Sequence, residues 1–302
     1  MNTRFFALAA LALSLAACNN DNENLNNDGP VAAKFTADIG NNVTATPSTR
    51  VSGTDGDLWD NGDCIGITGA GFINIPYVRE SGQFVPEDKT IYFNDTETKT
   101  FNAYYPYQSD GGTVSVSTAA DKQGSGIDFL FASGATGDTH NPEVSFTDKT
   151  DKGGPDNSFQ HCMSLIKFTF KPGDGLKFSE TEPAGYTLYG LKLEGTFDTA
   201  TGTTAVTAAS ESPITMQLGG ATTSQVIILP QEVTSSLNLK VSYNGQSYNA
   251  QLKLPATPTA NFYTAGYAYT YNVTLKNKGV EVSEAQITPW ESGDSNDASA
   301  EL

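Results

Sequence analysis

Val31-Ala32-Ala33-Lys34-Phe35-Thr36-Ala37-Asp38-Ile39 alternates strictly. Val31, Ala33, Phe35, Ala37 and Ile39 are apolar, and Ala32, Lys34, Thr36 and Asp38 stand between them. Period two over such a length predicts a β-strand with one face in a core and the other in solvent. Further on, an isolated Arg50 sits in the small, polar run Thr46-Pro47-Ser48-Thr49-Arg50-Val51-Ser52-Gly53. Pro47 and Gly53 predict an exposed loop, where a protease reaches the backbone. The strand is therefore joined to the rest of the chain by a segment that a trypsin-like enzyme can cut between Arg50 and Val51. If the strand left, a row of unpaired amides would stand beside an apolar groove. The plainer reading is an ordinary first strand and an ordinary loop arginine, and this stretch alone favours it.

Residues 1–17 carry one positive charge, Arg4, followed by an apolar run from Phe5 to Leu15. The run is shorter than the roughly 20 apolar residues that span a bilayer. It reads as a secretory signal peptide. It ends in Leu15-Ala16-Ala17-Cys18, a lipobox, which marks Cys18 for acylation. One acyl chain anchors marginally, so stable attachment to the outer membrane takes several. Residues 18–30 are rich in Asn and Asp and read as a solvated tether. Asp21 and Glu23 close behind Cys18 resemble the surface-export pattern of Bacteroidetes lipoproteins.

The chain has 302 residues, 17 Lys and Arg against 34 Asp and Glu, and a net charge of −17. Such a balance repels nucleic acid and anionic lipid headgroups. Charged residues make up only 17%, and strong helix formers are scarce over any long window, as in all-β extracellular proteins. Short strands spaced by turn residues predict sandwiches. Candidates are Cys64–Ile67, Gln83–Val85, Thr90–Phe93, Lys99–Tyr105, Thr113–Ser117, Ile127–Ala132 and Glu143–Phe146. Asn61-Gly62 is the turn ahead of the first. Phe159–Phe170 alternates in its second half, at Ile166, Phe168 and Phe170. Pro172-Gly173-Asp174-Gly175 is the expected boundary between an N-terminal domain, 31–170, and a C-terminal domain, 171–302. Beyond it follow Tyr186–Gly195, Ala205–Ala208, Ile214–Leu218, Gln225–Leu229, Leu237–Tyr243, Gln246–Leu254, Tyr267–Leu275 and Val280–Trp290. Asn244-Gly245 between two of these is the clearest hairpin turn.

Catalytic signals are absent. His140 and His161 have no partner at zinc-ligand spacing, and no nucleophile elbow, phosphate loop or dinucleotide fingerprint occurs. Asp55, Asp57, Asp60 and Asp63 surround Trp59 but lack the EF-hand spacing; an acidic turn is expected rather than calcium. His161 is expected to be packed and hydrogen-bonded. Cys64 and Cys162 are able to pair, but free thiols are the favoured reading. Neither cofactor, metal nor enzymatic activity is expected.

From Trp59-Asp60-Asn61-Gly62-Asp63-Cys64-Ile65-Gly66-Ile67 onward the chain resembles the fimbrillins of Bacteroidetes, the lipoprotein-precursor pilins of type V fimbriae. The similarity recurs at Phe159–Phe168, Ile227-Ile228-Leu229-Pro230-Gln231, Tyr243–Tyr248, Phe262–Tyr271 and Ala285–Gly293. The resemblance implies two transthyretin-like β-sandwich domains in tandem. It implies a lipoprotein precursor, acylated at Cys18, exposed on the cell outer membrane and then built into an extracellular fimbrium. It implies an arginine-specific protease, for which Arg50 is the matching position. The released strand would be Val31–Gly40, and a donor strand from another subunit, of the same or another kind, would refill its groove. The donor in this chain would be 279–290. Its Val280 and Val282 share one phase and Ala285 and Ile287 the other, which a bulge near Ser283-Glu284 would reconcile. The segment is either detachable or fixed in its own sheet, and the acidic stretch after it is poor strand material. A stalk or tip subunit is the first expectation. The alternative is an uncut lipoprotein acting as a fimbrial anchor or as a glycan-binding adhesin for a ligand on host or bacterial surfaces. Tyr104, Tyr105 and Tyr107 would then stack on sugar rings, although filling the core is the favoured reading of these three.

Overall fold

The computed structural model describes residues 29–40, 59–173, 175–233, 237–254, 259–276 and 279–290. Their regular structure is almost wholly strand, with three single 3-10 turns at Ala120–Lys122, Ser125–Ile127 and Thr150–Lys152. The first half contains β1 (Val31–Ala32), β2 (Lys34–Ala37), β3 (Cys64–Gly69), β4 (Phe72–Glu80), β5 (Gln83–Pro86), β6 (Tyr92–Phe93) and β7 (Lys99–Tyr105). It continues with β8 (Thr113–Ser117), β9 (Leu130–Gly137), β10 (Glu143–Phe146) and β11 (Gln160–His161). Eight of these form one sheet in the order β10-β2-β5-β4-β3-β7-β9-β11, and β1 pairs with β6. The sheet wraps a core in which Phe35, Tyr77, Phe101, Phe146 and Phe159 are buried.

The second half contains β12 (Ser164–Pro172), β13 (Gly185–Leu191), β14 (Glu194–Asp198), β15 (Thr204–Val206), β16 (Ser212–Gln217), β17 (Thr223–Ile228) and β18 (Gln231–Glu232). After these come β19 (Leu237–Tyr243), β20 (Gln246–Leu252), β21 (Phe262–Tyr263), β22 (Tyr267–Lys276), β23 (Gly279–Val282) and β24 (Gln286–Pro289). One sheet runs β17-β12-β22-β23, with β24 also on β22, and a second runs β16-β13-β19-β20. Their inner faces share a core of Ile166, Phe168, Phe170, Tyr186, Leu188, Leu239, Val241 and Tyr271. The turn joining β19 to β20 places Asn244 at φ 49° and Gly245 at φ 69°, the left-handed pair that a two-residue hairpin demands.

The two halves are also stitched together. β8 from the first half pairs with β14 from the second. Over that seam lies a third core with Tyr104, Val116 and Phe129 from one side and Leu165, Phe197, Ile227 and Leu229 from the other. Phe129 and Phe197 stack there at 4.4 Å.

The expected boundary at Pro172–Gly175 is therefore misplaced. β12, assigned to the first domain, runs through Pro172 and pairs in parallel with β22 over Leu165–Pro172. The chain crosses from one core to the other at His161–Ser164. Pro172 closes a strand, and the Gly173 amide still donates to the Leu275 carbonyl at 2.7 Å, so the Pro-Gly pair turns the chain within the second half. β4 was not expected at all: Asn74 at φ 53° and Pro76 interrupt the alternation on which strand reading depends. Tyr186–Gly195, read as one strand, is split into β13 and β14, with a register break between Leu188 and Leu191.

Candidate strand groove and carboxyl-terminal segment

The first strand sits as its alternation requires. Ala33, Phe35, Ala37 and Ile39 are buried, Val31 is half-buried, and Lys34, Thr36 and Asp38 face solvent. β2 lies between β10, parallel over Lys34↔Glu143 to Ala37↔Phe146, and β5, antiparallel at Phe35↔Phe84. The Ala33 amide donates to the Ile91 carbonyl, the Lys34 amide to Pro142 and the Asp38 amide to Phe146, each at 2.9 Å. The Phe159 amide donates to the Asp38 carbonyl at 2.9 Å, and the Gly40 amide donates back to Phe159 at 2.8 Å. Phe35 supplies the largest side chain. Its ring meets Tyr77 edge-on at 4.8 Å and Phe101 at 5.5 Å, and stacks on Phe146 at 6.3 Å. Removing 31–40 would leave a trough floored by these rings and bordered by the main-chain groups of β10. Each buried amide or carbonyl left unpaired costs about 1–3 kcal/mol, and each buried apolar side chain contributes roughly 1.5–3 kcal/mol.

At the other end of the chain, β23 and β24 both run antiparallel along β22. β23 pairs Val282↔Val273 and Val280↔Leu275; β24 pairs Ile287↔Tyr269. Tyr271 and Asn272 thus face three residues, Ser283–Ala285, so the segment carries one extra residue there. The Ser283 amide donates to the Asn272 carbonyl at 2.9 Å, and the Ser283 hydroxyl accepts from the Asn272 amide at 3.0 Å. A one-residue bulge puts Val280, Val282, Ala285 and Ile287, of two sequence phases, against one core. The segment is seated in its own sheet. Its last described residue, Trp290, is 9% exposed and belongs to the seam core. The Trp290 amide donates to the Gly266 carbonyl at 2.6 Å. Its indole lies flat on the His161 imidazole, centroids 4.0 Å apart and planes 3° apart. His161 Nδ1 is 2.9 Å from a carboxylate oxygen of the fully buried Asp128. His161 is thus packed and hydrogen-bonded, while Trp290 and Asp128 are anchors that sequence reasoning missed. A single acid in the run Ile127-Asp128-Phe129 was the signal available.

Cys18, Arg50, Val51, Asp55 and Asp57 lie outside the described residues. Of the acidic group, Asp63 caps its turn. It accepts from the Asp60 amide at 2.7 Å and the Tyr105 hydroxyl at 2.9 Å. Burial holds its carboxyl above the usual range, against the pull of these bonds. Among the described residues no cluster of His, Cys, Asp and Glu is arranged to hold a metal. Tyr104 and Tyr105 are buried and Tyr107 packs against the seam core, so they form no open platform for sugars. Cys64 and Cys162 are free thiols. Burial pushes them up to about 11 and about 12.

The family model described as fimbrillin-like matches residues 49–290. This chain belongs to the fimbrillin-like family. Over 95% of its length, and 94% of the relative's, this fimbrillin-like chain is 29% identical to a Bacteroides uniformis protein named as a fimbrium subunit, Fim1C. Two crystal structures named as cell adhesion proteins share its fold. The one from Bacteroides ovatus is 26% identical with a TM-score of 0.65, covering 87% of this chain and 99% of that one. The one from Bacteroides uniformis is 24% identical with a TM-score of 0.66 and the same coverage.

Proposed function

We propose that this chain is a structural subunit of a cell-surface fimbrium that polymerises by exchanging its first strand. It is exported as an outer-membrane lipoprotein acylated at Cys18. An arginine-specific protease cuts between Arg50 and Val51, which frees the body from the lipid and lets strand 31–40 leave. The donor segment of another subunit, in this chain Val280, Val282, Ala285 and Ile287, then fills the trough. The observation that carries the proposal is the seating of β2. Its whole apolar face is buried among rings, yet it is held laterally by main-chain bonds that any strand of matching pattern can make.

The arginine content supports the position of the cut. The chain has three arginines, Arg4, Arg50 and Arg79. Arg4 precedes Cys18, and Arg79 is 6% exposed within β4. Only Arg50 is left for an arginine-specific enzyme acting on a folded, acylated precursor. Retaining the strand until export also keeps the edge of β10 covered, which prevents premature pairing between chains. The test is Arg50→Ala in the native host. The proposal expects membrane-tethered monomer and no SDS-resistant ladder; ladders at the normal level would refute cleavage at Arg50.

A further inference from the structure

The first strand and the carboxyl-terminal segment belong to different cores, yet both end on the same short stretch. Asp38 and Gly40 exchange two main-chain bonds with Phe159, at 2.9 and 2.8 Å, and Ile39 bridges Phe159 in parallel. The Phe159 ring is held edge-on by Trp59 at 5.1 Å and by Phe146 at 5.8 Å. Two residues on, His161 carries the indole of Trp290 on its face and Asp128 on its Nδ1. Between these points the chain is β11, which pairs with β9 through Gln160↔Phe131 and His161↔Leu130 and stands at the end of its sheet. An element with a lateral neighbour on one side has few bonds to resist a shift when a contact at its end is lost.

We infer that Phe159–His161 is a shared fastener. When the first strand leaves, Phe159 loses Asp38 and Gly40, β11 relaxes, and the seat of Trp290 on His161 loosens. Segment 279–290 is thereby readied to leave its own sheet. The inference rests on the proposed strand exchange and adds an order to it: a subunit that keeps its first strand also keeps its donor seated. The coupling runs through contiguous packed and bonded groups. Because coupling between sites is reciprocal, unseating Trp290 also loosens the end of the first strand.

The test is native-state amide hydrogen exchange on the uncut monomer. Ile39→Ala thins the contact over Phe159 without touching the second core. It should speed exchange of the Trp290 amide by at least about fivefold, the low end of coupling between sites. Trp290→Ala should speed the Phe159 and Gly40 amides to a similar degree, and Trp290→Phe, which keeps a ring on His161, should return most of the protection. Leu191→Ala, in the second core away from the fastener, should move these amides no more than the average. The inference is overturned if each variant loosens only its own segment, or if Leu191→Ala reproduces both effects. Because exchange is read on the monomer, a failure of assembly would count against the proposed function and leave this result standing.

Discussion

Phe35→Ala is the sharpest perturbation of the strand's hold. The side chain is 1% exposed and packs against three rings at once, Tyr77, Phe101 and Phe146. Truncating a core Phe to Ala costs about 3–5 kcal/mol, from lost transfer energy and the cavity left behind. The aromatic pairs, worth about 0.5–1.5 kcal/mol each, place this site towards the upper end. At 1.4 kcal/mol per tenfold, the strand should leave its groove about a hundred- to several-thousand-fold more readily. The assay cuts the purified chain with a trypsin-like protease and follows replacement of the native strand by a labelled peptide of sequence 31–40. Thr36→Ala is the matched control: it removes an exposed hydrogen bond to Ser145 at 3.1 Å and should change exchange by only about twofold. If Phe35→Ala holds its strand as firmly as Thr36→Ala, the buried face is not what retains the strand, and the reasoning fails.

Two further predictions concern the body of the fold. Gln231 is 5% exposed and spans Lys192 with its side-chain amide. It donates to the Lys192 and Leu229 carbonyls at 3.0 and 3.1 Å and accepts from the Lys192 amide at 2.9 Å. Gln231→Leu leaves those groups unpartnered, so stability should fall by about 2–4 kcal/mol, which calorimetry would read as a Tm lower by roughly 4–12 °C. Cys64 and Cys162, at about 11 and about 12, hold on the order of one thousandth or less of their population as thiolate at pH 8. Iodoacetamide should therefore leave both intact in the native protein and modify both in denaturant; rapid native labelling of Cys162 would show that the seam core opens.

Much of this architecture is local in origin and was readable from local pattern. The alternation of Val31–Ile39 assigned the right face to the core, and Asn244-Gly245 marked its hairpin because a left-handed pair needs those residues. The phase change between Val282 and Ala285 pointed to the bulge that the register shows. What local pattern could not reveal is assembled from distant residues. The seam core draws on Val116, Phe197 and Trp290, which no periodicity connects, and without it Pro172-Gly173 looked like a boundary. β4 escaped because Asn74 and Pro76 break the period, although Gly66 opposite leaves room for the Tyr104 ring, 2.3 Å from where a Cβ would stand. Trp290 looked like the end of a donor strand; its role as an anchor depends on His161, 129 residues earlier, and on Asp128 behind it.

The most direct measurement is the amino-terminal sequence and intact mass of the subunit recovered from assembled fibres. Strand removal and exchange predict a chain that begins at Val51 and lacks 31–40. A fibre subunit that still carries Phe35 in its own first strand, or still begins at an acylated Cys18, would contradict the account.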